Sequence, residues 1–149
     1  MKSRSWTSRS EDETIAIGEE IARQLPSKAA VLLIGNLGAG KTTLAKGIVQ
    51  GLGAASVDEV SSPTFTLIHE YSPRVLHIDL YRLDRPEEIA TLGQDEIFDR
   101  EAVVLIEWGE RFPGLMPAER IEIRLCATDD NTRTIQLASV AGPASESVP

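Results

Sequence analysis

Apolar positions recur along the chain with two different periods. Residues 29–34 are apolar without interruption and end at a glycine, the signature of a strand buried on both faces. From 41 to 52, Leu44, Ile48, Val49 and Leu52 return at helical spacing, and Gly51 and Gly53 supply the stop. Upstream, Ser10 with Glu13 three residues on reads as a capping box. The helix it opens carries Ile15, Ile17, Ile21, Ala22 and Leu25 and stops at Pro26. Residues 64–71 alternate, turn at Ser72-Pro73 and return over 74–79, which predicts a hairpin with Asp79 at its end. Asp84 caps a short helix with Pro86 in its first turn, Glu87 and Glu88 at its positive end, and Gly93 as its close. Residues 102–108 do not alternate, so that strand should lie centrally in a parallel sheet, with Glu107 emerging at its carboxyl end. Alternation at 121–125 and 134–137, around Asp129-Asp130-Asn131, predicts a terminal hairpin.

Between the first strand and its helix stands Gly-Asn-Leu-Gly-Ala-Gly-Lys-Thr at 35–42, a phosphate-binding loop in the strand–loop–helix setting such a loop requires. Glycines let successive backbone N–H groups turn inward to phosphate oxygens. Lys41 would bring a point charge to the β- and γ-phosphates, and the Thr42 hydroxyl would ligate Mg²⁺. The helix start adds partial positive charge. These features predict a three-layer α/β/α fold of the P-loop NTPase class, with a mixed sheet: a central parallel part and antiparallel hairpins.

Composition narrows the picture. The 149 residues suffice for one domain, expected over 10–139, with a flexible segment at 1–9 and a disordered tail at 140–149. No apolar run approaches a membrane span, and the basic, serine-rich start lacks a signal peptide's apolar region. A single cysteine, Cys126, fits a reducing cytoplasm and reads as a buried structural thiol. A net charge of −8 argues against direct hold on naked tRNA or DNA, because phosphate contacts dominate such affinity.

Two acids at strand ends compete for the metal. Asp79 belongs to the more peripheral hairpin and Glu107 to the more central strand, so position favours Glu107, with Asp79 orienting water behind it. His77 shares a face with Asp79 and reads either as its orienting partner or as a satisfied surface histidine. Ser62 and Thr64 flank Pro63 and read equally as a capped turn or as a switch whose hydroxyls meet the γ-phosphate or the metal. A small-molecule kinase would need arginines from a lid; Arg82, Arg85 and Arg111 are candidates, but no long arginine-rich insertion occurs. No Asn-Lys-x-Asp segment reads guanine. A non-hydrolysing ATP-sensing adaptor is the remaining rival.

Four motifs in order complete the reading: Gly-Asn-Leu-Gly-Ala-Gly-Lys-Thr-Thr at 35–43, Ser-Pro-Thr-Phe-Thr-Leu at 62–67, His-Ile-Asp-Leu-Tyr-Arg-Leu at 77–83 and Ile-Glu-Trp at 106–108. Together they resemble the bacterial TsaE (YjeE) ATPases of tRNA threonylcarbamoyladenosine biosynthesis, over nearly the whole chain from Ser10 to Leu137. The resemblance implies a Mg²⁺-dependent ATPase acting with TsaB and TsaD, which modify the adenosine beside the anticodon. ATP hydrolysis would reset that complex between turnovers, and tRNA would be met only through it. Residue by residue, it implies a nucleotide cradle of Gly38, Ala39, Gly40, Lys41, Thr42 and Thr43, switch hydroxyls Ser62 and Thr64, and acids Asp79 and Glu107. It places Trp108 beside the site, and Glu11 and Arg133 in the nucleotide pocket. Asn36 departs from the acidic residue the family often has there, at a position that contributes chiefly backbone.

Overall fold

The computed structural model describes residues 3–36, 38–63 and 67–142. Seven strands form one sheet, in the order β1 (Arg4–Ser8), β7 (Arg133–Val140), β6 (Arg120–Ala127), β2 (Ala29–Ile34), β5 (Val103–Glu107), β4 (Val75–Asp79), β3 (Ile68–Ser72). The middle of the sheet, β6-β2-β5-β4, is parallel; β1, β7 and β3 pair antiparallel at its flanks. One face carries α1 (Glu11–Ala22) and α2 (Lys41–Gly51), and the other α3 (Pro86–Ala90), α4 (Gln94–Asp99) and short helical turns. This is the expected three-layer α/β/α arrangement of the P-loop class.

Strand alternation divides the core into two halves. Val31 and Leu33 of β2 and Val103 and Leu105 of β5 point to α1 and α2. Leu32, Val104 and Ile106 point the other way, to Ile89, Ile97 and Phe112. Burial on both sides is why β2 and β5 read as unbroken apolar runs.

Helices α1 and α2 touch through glycines. A Cβ at Gly47 would lie 2.2 Å from the Ile15 carbonyl oxygen, and one at Gly18 2.6 Å from that of Leu44. The two backbones therefore approach to a distance no side chain permits, which fixes α2, and the loop that precedes it, against α1.

Several expectations need correction. The start of the chain is not a flexible segment over its whole length: Arg4–Ser8 forms β1, paired to β7. The Trp6 indole donates to Glu20 of α1 at 2.7 Å, and Ser8 and Thr14 share a buried hydroxyl–hydroxyl bond of 2.6 Å. Backbone pairing to the β7 edge, rather than an apolar pattern, makes this strand. At the other end β7 continues to Val140, and Gly142 is bonded to Ala118 at 3.1 Å; the tail from 143 on lies outside the described residues. Ser10 accepts from the Glu13 amide at 3.0 Å, but Glu13 returns to the Arg9 amide, one residue earlier than a capping box requires. The start of α3 is held not by Asp84 but by Glu88, which accepts from the Asp84 and Arg85 amides. Gly93, left-handed at φ 72°, leads into α4, which the sequence reading did not separate. The hairpin β3–β4 does lie at the edge of the sheet and β5 nearer its centre, as expected, although β4, between β5 and β3, is buried throughout. Cys126 is exposed at the end of β6, beyond the last inward position.

Candidate functional site

The carboxyl ends of β2, β4 and β5 open into a cleft of about 770 Å³. Gly38, Gly40, Lys41, Thr42 and Thr43 line it together with Ser62, Asp79, Glu107, Trp108, Glu11 and Arg133. Ala39 is buried and packs in the core behind the loop. Thr64 lies outside the described residues. Residues scattered over more than 120 positions of sequence thus meet at one strand end, the crevice where ligands gather in open α/β sheets.

The loop is shaped for an anion. Gly38 and Gly40 have φ of 80° and 101°, a left-handed backbone that other residues adopt only with strain. Gly40 precedes α2 and, having no side chain, puts no capping oxygen on the first amides of the helix. Those amides and the helix dipole favour a bound phosphate.

Lys41 is buried, with Nζ donating to the Gly35 carbonyl at 2.7 Å. The same ammonium lies 3.4 Å from the centroid of the Trp108 ring. Burial pulls its pKa down, and the carboxylates of Glu110, Glu107 and Asp79 resist that fall. Glu110 itself is pushed up by burial, and its Oε1 is buried without a hydrogen-bond partner among the described residues. The lysine therefore sits in a negative field, held by a carbonyl and a ring.

The two acids are neighbours in register, Asp79 opposite Glu107 on adjacent parallel strands, and each is only 3 % exposed. Their hydrogen bonds differ. Asp79 accepts from the Ser62 hydroxyl and the Tyr81 amide, both at 2.8 Å. Glu107 faces Thr42, whose hydroxyl lies 3.4 Å from Oε2. The same Oε2 is 2.6 Å from His77 Nε2. His77 is neither a surface residue nor Asp79's partner: it is wholly buried and bonded to the other acid.

The donor set fits a hard cation such as Mg²⁺. Hydroxyl and carboxylate oxygens are its usual ligands, with the rest of the shell from water and substrate phosphate. Among the described residues no three acidic, histidine or cysteine side chains converge to cage a metal by themselves. An ion held here would thus use Thr42 and a carboxylate together with phosphate oxygen atoms, the arrangement suited to Mg²⁺ rather than to a protein-only cage.

Backbone strain marks both sides of the site. Among the described residues, Leu67 and Trp108 are the non-glycine residues with positive φ, 70° and 66°. Leu67 follows the Ser62 segment and its carbonyl accepts from the Asp79 amide at 2.9 Å; Trp108 follows Glu107. Such conformations persist where the surroundings over-determine them. The turn at Trp108 brings its ring over Lys41 and edge-on to Tyr81, 5.1 Å between centroids.

Sequence reasoning missed several lining residues. Ser10, Thr14, Tyr81, Asp130 and Asn131 all border the cleft. The two turn residues had been read only as a hairpin connection, although Arg133 beside them was assigned to the pocket. Arg133 reaches the Gly38 carbonyl at 3.3 Å, joining that hairpin to the loop. Of the lid candidates, Arg111 is tied to the Tyr81 carbonyl at 2.6 Å, and Arg82 and Arg85 do not line the cleft.

The glycine loop at the end of a buried parallel strand, with a helix behind it and two acids on the neighbouring strands, defines a P-loop protein. The family model described as "Threonylcarbamoyl adenosine biosynthesis protein TsaE" matches residues 8–135. Similar proteins include the tRNA threonylcarbamoyladenosine biosynthesis protein TsaE of Bacillus subtilis, 38% identical, covering 94% of this chain and 88% of the relative. That of Haemophilus influenzae is 41% identical over 79% of this chain and 76% of its own. The crystal structure of B. subtilis YdiB superposes with a TM-score of 0.76 at 32% identity, covering 94% of this chain and 87% of that one. The chain belongs to the TsaE family of threonylcarbamoyladenosine biosynthesis proteins.

Proposed function

We propose that this protein is a Mg²⁺-dependent ATPase that acts on the TsaB–TsaD complex and resets it between rounds of tRNA modification. The observation that carries the reading is the meeting of Lys41, Thr42, Asp79 and Glu107 at the mouth of one anion-shaped loop. Lys41 would leave the Gly35 carbonyl to reach the phosphates. Thr42 and Glu107 would hold the cation, since Thr42 lies against Glu107 while Asp79 is engaged by Ser62 and the Tyr81 amide. Bound there, the cation would neutralise charge gathering on the phosphate oxygen atoms. Asp79 and Ser62 would orient the attacking water, and Glu11 and Arg133 would border the nucleoside end. Arg111 is tied to the Tyr81 carbonyl and Arg82 and Arg85 stand outside the cleft lining, which favours hydrolysis over phosphoryl transfer to a second small molecule.

Phosphate release from ATP, measured for the protein alone, with TsaB–TsaD, and with candidate small-molecule acceptors, tests the reading. Slow release that TsaB–TsaD accelerates is expected. Stoichiometric transfer to an acceptor would establish a kinase instead, and nucleotide binding without any release would establish an adaptor.

A further inference from the structure

We infer that His77 is a positioning residue that aims the Glu107 carboxylate at the cation site; the inference rests on the ATPase reading above. His77 sits in β4 on the face that packs toward α1 and α2. Val75 precedes it on that face, and its register partner on β5 is Leu105, both buried apolar residues. Toward β5 the layer is thus apolar, whereas on the β3 side its register partner is His69. His77 nonetheless has no exposure, and its Nδ1 is buried without a hydrogen-bond partner among the described residues. The ring's hydrogen bond runs from Nε2 to Glu107 Oε2, 2.6 Å away. Because a carboxylate accepts, Nε2 carries the hydrogen.

Diagonal placement makes the bond possible. Asp79 is directly opposite Glu107, and His77 is two residues earlier on the same face, so its ring reaches the acid from beneath rather than from the cleft. Thr42 approaches the same oxygen at 3.4 Å, a longer contact. The short bond from below therefore fixes the carboxylate's rotation, and Thr42 meets it in that orientation. Buried partners of metal-binding groups commonly act in this way, holding the ligand rather than touching the ion. Tyr71 flanks the ring at 6.5 Å between centroids.

The test uses Mn²⁺ as the probe, with a non-hydrolysable ATP analogue, and reads bound ion by electron paramagnetic resonance. Two removal variants are compared with one conservative variant. His77→Phe keeps a ring without a donor, His77→Asn has an amide too short to reach Glu107, and His77→Gln places an amide near the position of Nε2. Thermal melts accompany each. His77→Phe and His77→Asn are expected to weaken Mn²⁺ binding roughly tenfold or more, and His77→Gln to stay close to wild type. In a Glu107→Gln background, His77→Asn should cause no further loss. Should His77→Phe fail to fold, the Asn and Gln variants carry the comparison. Wild-type affinity in His77→Asn, equal weakness in His77→Gln, or an undiminished loss in the Glu107→Gln background would overturn the inference. Failure of the wild type itself to bind the Mn²⁺–analogue pair would instead remove the ATPase reading, and this inference with it.

Discussion

Lys41 is buried between the Gly35 carbonyl and the Trp108 ring, beside the loop whose phosphate it would meet. Lys41→Ala should lower ATP hydrolysis about a hundredfold or more, the scale of losing one preorganised positive group. Its circular dichroism should stay that of a folded protein, since the ammonium holds the loop and the Trp108 ring rather than the apolar core. Thr42→Ala, Asp79→Ala and Glu107→Ala should each cost at least about tenfold in rate, or ~1.4 kcal/mol of transition-state stabilisation. Glu107→Ala should raise the Mg²⁺ requirement more than Asp79→Ala; titrating Mg²⁺ against rate decides, and the reverse order would exchange the two roles. The ring above Lys41 gives a direct signal. In a Trp6→Phe background, Trp108 fluorescence should change as ATP saturates, and a constant signal would place the nucleotide elsewhere.

At the scale of elements, the contact between α1 and α2 governs the loop. Gly47→Ala would force a methyl group against the Ile15 carbonyl, 2.2 Å from where the Cβ must go. Neither backbone can retreat without displacing a helix, so a loss of about 3 kcal/mol is expected, the upper end of ordinary overpacking. The urea midpoint should fall accordingly, and nucleotide affinity should weaken with it because α2 begins at Lys41. Strand β1 offers a pH-dependent counterpart. The Trp6 indole, chiefly, holds Glu20 below the usual carboxylate range; burial opposes it, and the Arg4 guanidinium adds to the lowering. A lowered folded pKa means that the folded state releases this proton more readily than the unfolded chain. The contribution is therefore complete above about pH 4.5, the ordinary glutamate value, and is lost as pH falls through the folded pKa. The pair is solvent-accessible, so its worth is on the order of 0.5 kcal/mol. Glu20→Gln should reduce stability by that amount at neutral pH and by progressively less as pH falls below about 4.5, as urea melts across that range would show.

For the whole molecule, charge sets the expected partners. A chain of net charge −8 has little with which to release counterions from a polyanion. Naked tRNA should not bind the isolated protein in filter or anisotropy assays, whereas TsaB–TsaD should raise ATP hydrolysis. Ordering a switch or supplying an arginine from outside raises the rate by roughly 10³ or more in related nucleotide switches. Tight, salt-sensitive tRNA binding by the isolated protein, or fast hydrolysis indifferent to TsaB–TsaD, would contradict this. Among the described residues no helix is long and apolar enough to cross a membrane.

The glycine loop, the buried strands at its back and beside it, and the helix after it were legible because each is a local pattern: an unbroken apolar run, a fixed spacing, a 3.6-residue repeat. The lining of the cleft by Lys41, Thr42, Asp79 and Glu107 followed from the same local signals, since a residue at the end of a parallel strand must emerge at one edge of the sheet. Strand β1 was not legible, because Arg-Ser-Trp-Thr-Ser carries little apolar alternation and becomes a strand only by pairing with the β7 edge. The more central place of β5 relative to the β3–β4 hairpin was legible from its unbroken apolar run, but the full burial of β4 between β5 and β3 was not. His77 shows the difference most sharply. Its period-two spacing put it on a face with Asp79, but which carboxylate it meets depends on the register between β4 and β5, a relation between two segments some thirty residues apart. Local propensity fixes which side chains share a face, and only tertiary packing decides which of them touch.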